Sequence, residues 1–223
     1  MIKNPVETEN LEPFGTQFFD HEYPTYMKTS LDSVMNVDFH IRMAKISDAE
    51  DMLEIYGPIV TNTATSFETE IPSNEAFQNR ISSYGSKAPW LVAVIDNKVI
   101  GYAYATEHRS RKAYQWNQEV TVYVHHEHRK KGIARELYTK LFEMLKAMNF
   151  TKAIAVITLP NDASISFHKA LGFQHIGEMK NIGFKLGQWR STSWWDIQLN
   201  HHEKAPLSLK TLDSILDSFD MRM

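Results

Sequence analysis

The sequence predicts an α/β or α+β domain built on a mixed sheet. Strand-like and helix-like segments alternate along most of the chain. The composition, with 43% hydrophobic and 23% charged residues, is close to that of soluble globular domains. A length of 223 residues suits one domain with appendages. We therefore expect one packed domain, large enough to be an enzyme.

The first predicted elements are a strand, two helices and a hairpin. IRMAK, just after His40, alternates as a strand does, and Asp48 can cap the helix that apolar spacing predicts in DAEDMLEIYGPIV. A second, short helix is predicted at SNEAFQNRISSY. The run WLVAVIDNKVIGYAYATEH predicts two strands joined at Asp96 and Asn97, because this dipeptide between Val- and Ile-rich segments is typical of a tight turn.

The next strand, WNQEVTVYVHHEH, separates apolar from polar side chains. Its two faces are Val120, Val122 and Val124 on one side and Glu119, Thr121 and Tyr123 on the other. We expect the strand to end near His125.

The second half of the chain repeats the alternation. One helical face is predicted from regularly spaced apolar residues: Ile133, Leu137, Leu141, Leu145 and Met148. KAIAVITL predicts a strand, and Asp162 can cap a helix through ISFHKALG that Gly172 stops. QWRSTSWWDIQL predicts the last strand.

Both ends of the chain are predicted as extensions of a domain at residues 39–199. Residues 1–38 contain three prolines and no clear period. Residues 200–223 contain the apolar-periodic LSLKTLDSILDSF, which predicts a terminal helix packed on the body or on a partner.

Composition limits the classes of function. A net charge of −3 argues against a general nucleic-acid binder, whose surface must neutralise phosphates. The absence of cysteine excludes disulfides, thiolate nucleophiles and cysteine zinc sites. No stretch approaches the roughly 20 apolar residues of a membrane span, so we expect a cytoplasmic protein with no membrane partner.

The stretch HRKKGIARELYTKL, residues 128–141, places cations and a glycine at a helix start. Free backbone N–H groups and the positive end of the helix dipole suit an anion there. Gly132 lets the backbone approach an oxygen-rich ligand, and Ala134 keeps the next contact small. A pyrophosphate fits such a site, and a solvated charged loop is the alternative.

Two motifs in order resemble the GNAT acetyltransferase superfamily. The segment from Arg129 to Ala134 resembles its acetyl-CoA signature, and NDASISFHKALGF resembles its next block. More narrowly, four segments are similar to the phosphinothricin N-acetyltransferase subfamily: APWLVAVIDNKVIGYAYA, RKAYQWNQEVTVYV, AVITLPNDASISFHKALGF and GFKLGQW. The resemblance implies the GNAT fold, a mixed, mostly antiparallel twisted sheet with a splayed central strand pair, flanked by helices.

The resemblance also implies acetyl transfer from acetyl-CoA to a primary amine. Glu119 occupies the position of the general base that removes the ammonium proton. His168 stands where many of these enzymes have a tyrosine thought to protonate the departing thiolate, and the phosphinothricin group has histidine there. The alternatives are an exposed strand glutamate and a structural histidine.

Acetyl-CoA is expected to lie along the splayed strand and the glycine loop. The contacts that the resemblance implies are Val122, Tyr123, Val124, Lys130, Lys131, Gly132, Ile133, Ala134, Arg135 and Asn161. Three residues are implied near the acceptor: Arg111, Tyr114 and Phe67. An arginine suits an acidic acceptor, whereas a surface loop or core packing is the alternative for these residues.

Three functions are compatible with the sequence. The leading one is detoxification, and with it herbicide resistance, by acetylating phosphinothricin, methionine sulfoximine or methionine sulfone. The others are acetylation of a polyamine, an aminoglycoside or a protein terminus, and a catalytically idle acetyl-CoA sensor. The resemblance implies a homodimer.

A metal is not expected, although HHEH at residues 125–128 and the histidine pair at 201–202 offer ligands. The helical H-E-x-x-H spacing is missing, and neighbours on a strand end point to opposite sides. The reaction inferred needs no metal.

Overall fold

The structure, a computed structural model, describes residues 38–202 and 204–219. The strands are β1 (His40–Met43), β2 (Trp90–Ile95), β3 (Lys98–Glu107), β4 (Asn117–Val124), β5 (Lys152–Thr158), β6 (Gln174–Lys185) and β7 (Gln188–Gln198). The helices are α1 (Ala49–Asn62), α2 (Asn74–Gly85), α3 (Ile133–Ala147), α4 (Asp162–Ala170) and α5 (Asp213–Leu216). These strands form one sheet in the order β1-β2-β3-β4-β5-β7-β6. The predicted mixed sheet flanked by helices is confirmed.

Helices cover both faces of the sheet and create two hydrophobic cores. Leu141 of α3 is buried on one face, and Met52 of α1 is buried on the other. β2 lies between the cores, with Leu91 facing the first and Val92 the second. This double burial explains why WLVAVI reads as a continuous apolar run.

The predicted β2–β3 hairpin is confirmed. Asp96 and Asn97 form its turn with φ of 47° and 66°, the left-handed values that a tight hairpin turn requires. β4 ends at Val124, as predicted, and its two faces separate as expected. Val120 is buried in the core that contains α3, whereas Tyr123 packs against the core that contains α1.

The central strands β4 and β5 are parallel and stay together only briefly. Asn117–Glu119 pair with Lys152–Ile154, although β4 continues to Val124 and β5 to Thr158. The other edge of β4 remains paired with β3 as far as Val124. The strands therefore separate beyond Glu119, and one backbone edge of β4 is left without a strand partner in the part of the chain that the structure describes.

Asp48 precedes α1 but does not cap it with its side chain, so this prediction is wrong. Its carboxylate instead accepts the Lys45 N–H at 2.7 Å and forms a bidentate ion pair with Arg42, with both bonds at 2.7 Å. A buried arginine needs a charged partner, and this need takes precedence over the cap.

Asn161, not Asp162, caps α4. Its side-chain oxygen accepts the Ser164 N–H at 3.1 Å. The two residue types are equivalent as caps, so the sequence alone could not choose between adjacent positions. Gly172 follows the helix with φ of 92°, which confirms the predicted stop.

The sequence did not predict β6, the edge strand that forms a hairpin with β7. Most of its side chains are exposed on both faces, so no core imposes an alternation of apolar and polar residues. The pairing with β7 also shifts register twice. A strand of this kind has no periodic signal to detect.

The C-terminal segment packs on the body of the domain. Its helix, α5, is much shorter than predicted, but Leu212 and Ile215 are buried in the core that contains α3. The Trp116 indole donates to the Leu207 carbonyl at 2.9 Å. Apart from Asp38, the predicted N-terminal extension lies outside the described residues. Among the helices described, none has the length and apolar character needed to cross a bilayer.

Candidate active site

A cleft of about 700 Å³ opens where β4 and β5 separate. Its walls come from β4, the loop before α3, β5 and the start of α4. Of the residues expected to contact acetyl-CoA, its lining contains Val122, Tyr123, Val124, Lys130, Gly132, Ile133, Ala134, Arg135 and Asn161. Lys131 is not part of this lining. The structure thus brings together residues that lie about 40 positions apart in the sequence.

The loop before α3 has a backbone suited to an anion. Gly132 is the residue before the helix, with φ of 82°, and Lys130 is also left-handed, with φ of 62°. No side chain caps the start of α3. The N–H groups of Ile133 and Ala134 therefore remain available to a ligand, whereas that of Arg135 donates to the Gly132 carbonyl at 2.9 Å. The helix dipole favours a negative ligand. This geometry fits the diphosphate of acetyl-CoA.

His168 is buried in the wall of the cleft. Its Nδ1 donates to the Ser164 carbonyl at 2.8 Å, and its Nε2 lies 3.5 Å from the Tyr138 hydroxyl. Because a carbonyl only accepts, the proton is on Nδ1 and Nε2 carries a lone pair. Burial lowers the pKa of His168 below its ordinary value, against the effect of the Ser164 bond. The ring is therefore neutral near pH 7, and the hydroxyl proton of this pair belongs to Tyr138, whose pKa burial raises.

Glu119 lies at the last paired position before β4 and β5 separate. Its Oε1 is 2.7 Å from Nδ1 of His108, a residue that the sequence did not single out. Thr106 of β3 is the cross-strand neighbour of Glu119, and His108 follows it by two residues, which places it on the same face. The side chain of His108 is 12% exposed and that of Glu119 is 35% exposed.

Aromatic rings position His108. The imidazole packs edge-on against Tyr114, with ring centroids 5.9 Å apart, and against Trp194 of β7, at 6.1 Å. Tyr114, one of the expected acceptor residues, is therefore close to the Glu119–His108 pair. Arg111, a second one, is exposed at the start of the short 3-10 turn that contains Tyr114.

Phe67, the third expected acceptor residue, lies against β6. A Cβ on Gly183 would collide with three atoms of the Phe67 ring, so only glycine permits this approach. Lys185, two residues on, donates to the Ser66 carbonyl at 2.6 Å. We name these four residues, Ser66, Phe67, Gly183 and Lys185, the clasp. It joins the loop after α1 to the β6–β7 hairpin.

Further polar contacts support the clasp. The Ser66 hydroxyl is 2.6 Å from that of Tyr56, and Glu68 forms a bidentate pair with Arg80 at 2.6 and 3.2 Å. Burial lowers the pKa of Lys185, and nearby Glu68 opposes this shift. Burial also raises the pKa of Tyr104 to about 12, so its hydroxyl stays protonated at neutral pH.

The histidine cluster after β4 differs from its expected geometry. His126–His128 form a 3-10 turn, which brings the ligating atoms of His125, Glu127 and His128 within 4.8 Å of one another. The expectation that these neighbours point apart is therefore wrong. Burial, together with the charge of Lys131, lowers the pKa of His128. The absence of a metal role rests on chemistry, because acetyl transfer from a thioester to an amine needs none.

Sequence reasoning missed His108, Trp194, Tyr138 and Lys185. The position of His108 depends on the β3–β4 register, and that of Trp194 depends on the β5–β7 register; the sequence determines neither, because the paired strands are joined by loops or by intervening elements. Gly183 and Lys185 belong to the quoted segment GFKLGQW, so its spacing of glycine and lysine was the available signal.

The chain is similar to known acetyltransferases. Residues 41–194 match the model of the acetyltransferase (GNAT) domain. The phosphinothricin N-acetyltransferase of Streptomyces viridochromogenes is 35% identical over 155 residues, which are 70% of this chain and 85% of that protein. The L-methionine sulfoximine/L-methionine sulfone acetyltransferase of Salmonella typhimurium is 31% identical over 166 residues, 73% of this chain and 95% of that protein.

A solved structure agrees with these matches. The GNAT superfamily phosphinothricin acetyltransferase from Sinorhizobium meliloti, crystallised in complex with acetyl-CoA, has a TM-score of 0.73 and 35% identity. The match covers 77% of this chain and 94% of that one.

Replacing Gly132 with valine is expected to weaken acetyl-CoA binding by well over tenfold, about 1.4 kcal/mol or more. A β-branched residue is strained at the φ of 82° found there, so the loop would turn its N–H groups away. Titration calorimetry measures the effect. Gly187→Val is the matched control, because Gly187 has φ of 72° and open space around it but lies in the β6–β7 turn. Unchanged affinity in Gly132→Val would place the diphosphate elsewhere.

Replacing Lys185 with methionine is expected to loosen the loop that contains Ser66 and Phe67. The change keeps most of the side-chain volume and removes a hydrogen bond from a charged donor, which contributes about 1.5 to 3 kcal/mol. Hydrogen exchange of the Ser66–Glu68 amides should accelerate roughly ten- to hundredfold. Lys180→Met, on the exposed part of the same strand, should leave this exchange unchanged. Equal exchange in both variants would mean that the clasp does not hold the loop.

Proposed function

The chain belongs to the GNAT acetyltransferase family, and we propose that it acetylates the primary amine of a small amino-acid-like acceptor of the phosphinothricin or methionine sulfoximine type. That it is an N-acetyltransferase using acetyl-CoA follows from the family and from the relatives described above. The observation that carries the acceptor proposal is the position of Glu119, a carboxylate at the point where the cleft opens between β4 and β5.

The cleft offers a binding path for acetyl-CoA, which supplies the acetyl group as a thioester. N–H groups across Lys130–Ala134 bind the diphosphate, with the Arg135 side chain beside them, and the free edge of β4 at Val122–Val124 pairs with the amides of the pantetheine arm. Asn161 lines the same cleft with its side-chain NH₂ group, since its oxygen is occupied in the α4 cap. These assignments are supported by the shared lining of one cavity.

Glu119 provides the base that the acceptor requires. An ammonium group has no lone pair, so it must lose a proton before its nitrogen can attack the thioester carbon. Glu119 serves this step directly or through water, and this role is supported by its place beside Val120, which lines the cleft, at the last position where β4 pairs with β5.

His168 and Tyr138 act at the sulfur end. The Nδ1 proton of His168 is held by the Ser164 carbonyl, so this ring serves as an acceptor that orients the Tyr138 hydroxyl. Tyr138 has one hydroxyl proton, so it stabilises the departing thiolate by turning that proton from Nε2 of His168 to the sulfur. This assignment gives His168 a positioning role next to the tyrosine.

The acceptor pocket combines a cation with aromatic walls. Arg111 suits the anionic group of an amino-acid-like acceptor, and Tyr114 and Phe67 enclose its side chain. A polycationic acceptor would gain nothing from Arg111. The relatives named above act on phosphinothricin and on methionine sulfoximine or sulfone, which are acceptors of the favoured type. We place the reaction in the cytoplasm, where it would detoxify such compounds and give herbicide resistance.

A second copy of the chain is the partner that the hairpin surface fits. We define this surface by six apolar side chains that are 43% to 62% exposed: Ile176, Met179, Ile182, Phe184, Leu186 and Trp189. Among the described strands, β6 lies at the edge of the sheet, and an edge strand can pair with the same edge of another copy across a two-fold axis. These features support a homodimer.

The acceptor proposal is tested by mixing the enzyme with acetyl-CoA and single amines and following thiol release. Phosphinothricin, methionine sulfoximine and methionine sulfone should be turned over, and spermidine and an aminoglycoside should not. Glu119→Gln should lower kcat by roughly 10²- to 10⁴-fold, the contribution of a general base. Glu143→Gln, a surface change on α3, is the control. Full activity in Glu119→Gln would remove this residue from the mechanism, and turnover of the polycations alone would overturn the acceptor class.

The homodimer is tested by light scattering after size exclusion. The wild type should have about twice the chain mass of 25.8 kDa. Phe184→Glu should convert it to monomers, because a charge would be buried at the hairpin surface without a partner. Leu207→Glu, at an equally exposed apolar residue outside the hairpin, should leave the mass unchanged. A monomeric wild type would contradict the proposal.

A further inference from the structure

We propose that the base of this enzyme is a dyad in which His108 receives the proton of the acceptor and Glu119 stabilises the resulting imidazolium. This inference rests on the proposed acetylation of an amine and refines one part of it. Glu119 alone is then not the proton acceptor, but the group that gives the imidazole its orientation and its counter-charge.

The geometry of the pair carries the inference. Nδ1 of His108 lies 2.7 Å from Oε1 of Glu119, a short hydrogen bond of the charge-assisted kind. An ionised carboxylate only accepts, so the imidazole proton is on Nδ1 and Nε2 presents its lone pair. Among the described residues, Nε2 has no hydrogen-bond partner. The same arrangement occurs in catalytic sites where a carboxylate accepts the Nδ1 proton of a histidine and leaves Nε2 to act as the base.

Base strength favours the imidazole over the carboxylate as the proton acceptor. In water a carboxylic side chain has a pKa of about 4.3, an imidazole about 6.5 and an α-ammonium group about 8. An imidazole is thus a base roughly a hundredfold stronger than a carboxylate, and it is better matched to an amine near neutral pH.

The described residues around His108 restrict the rotation of its ring and place no unpaired, buried charge beside the His108–Glu119 pair. The two rings against His108, Tyr114 and Trp194, carry no charge at neutral pH and restrict its rotation. On the same face of the sheet, Asp196 lies in the same row as Glu119, since both are paired with Ile154. Asp196 forms an ion pair with Lys152, so these two charges offset each other. Thr106, directly across from Glu119, is neutral. The charged side chains of the adjoining segment, Glu107, Arg109, Arg111 and Lys112, are exposed and therefore screened by solvent.

The proton balance of the step is simple. An N–H bond of the acceptor ammonium breaks and an Nε2–H bond forms, directly or through one water. The freed lone pair of the amine forms the bond to the acetyl carbon, and the sulfur leaves with the electrons of the broken C–S bond. The acylated nitrogen then loses its second proton, which passes to the thiolate, so that the amide and the free thiol are the products. The proton on Nε2 then passes to solvent, and the dyad returns to neutral imidazole and carboxylate.

Two variants separate proton transfer from positioning. His108→Asn keeps an N–H donor near the position of Nδ1 but cannot accept a proton at Nε2. His108→Gly leaves a space that free imidazole can enter. We would measure kcat and kcat/KM for methionine sulfoximine from pH 6 to 9.5, acetyl-CoA affinity by calorimetry, and activity with added imidazole. His40→Asn, at an exposed position on β1, is the control.

The dyad predicts a specific set of results. At pH 7 His108→Asn should lose at least tenfold in kcat with unchanged acetyl-CoA affinity, and this deficit should shrink as pH rises, because more of the amine is already neutral in solution. Free imidazole should restore part of the activity of His108→Gly and none of that of Glu119→Gln.

Other results would overturn the inference. Wild-type activity in His108→Asn, combined with an inactive Glu119→Gln, would show that Glu119 acts as the base alone while the proposed function stands. A deficit of equal size at every pH, without imidazole rescue, would reduce His108 to a positioning residue. If the wild type releases no thiol with any amine, the proposed function fails and the dyad fails with it.

Discussion

The separation of β4 from β5 after Glu119 is the constraint on which the rest of the site depends. A parallel pair that ends after three residues leaves a row of backbone N–H and C=O groups on β4 facing a cleft instead of a strand. Such groups need partners, and an extended ligand with amides of its own can provide them. The same separation puts the polar side chain of Glu119 where the two strands part and the start of α3 beside the cleft. The proposed binding path, base and anion site therefore all depend on one feature of the sheet.

The strands can stay apart only because other elements fix each half of the sheet. α3 and α1 bury opposite faces of β2–β4, and β5 is held by β7 over its whole length. Across the opening, the clasp connects the loop after α1 with the β6–β7 hairpin through the Lys185–Ser66 bond and the Phe67–Gly183 contact. The buried Lys185 thus has a polar partner, the Ser66 carbonyl, on the other side of this connection.

The sequence predicted what depends on local pattern and left out what depends on register. Buried strands such as β2, the helix α3 and the turn at Asp96 and Asn97 have strong periodic or turn signals. β6 has none, because both its faces are exposed. Glu119 and the cofactor loop were named through family resemblance, whereas His108 is absent from any such motif. Its pairing with Glu119 depends on the β3–β4 register, which spacing along the chain does not determine. The two misplaced caps have a similar cause, since Asp48 is occupied by Arg42 and Asn161 was equally able to cap α4.

The charges near a ligand, and not the net charge of −3, determine which ligands the site suits. Exposed charges farther apart than about 8 Å are screened at physiological salt, so a net negative protein can bind a polyanion through a local group of N–H donors and cations at the start of α3. The Glu119–His108 pair lies where the strands begin to separate, and the rings of Tyr114 and Trp194 pack against the imidazole, whereas the carboxylate stays partly exposed. In the function proposed above, an acceptor bearing both an ammonium and an anionic group is matched by the Glu119–His108 pair for the one and by Arg111 for the other, so the local charges rather than the net charge set the expected selectivity.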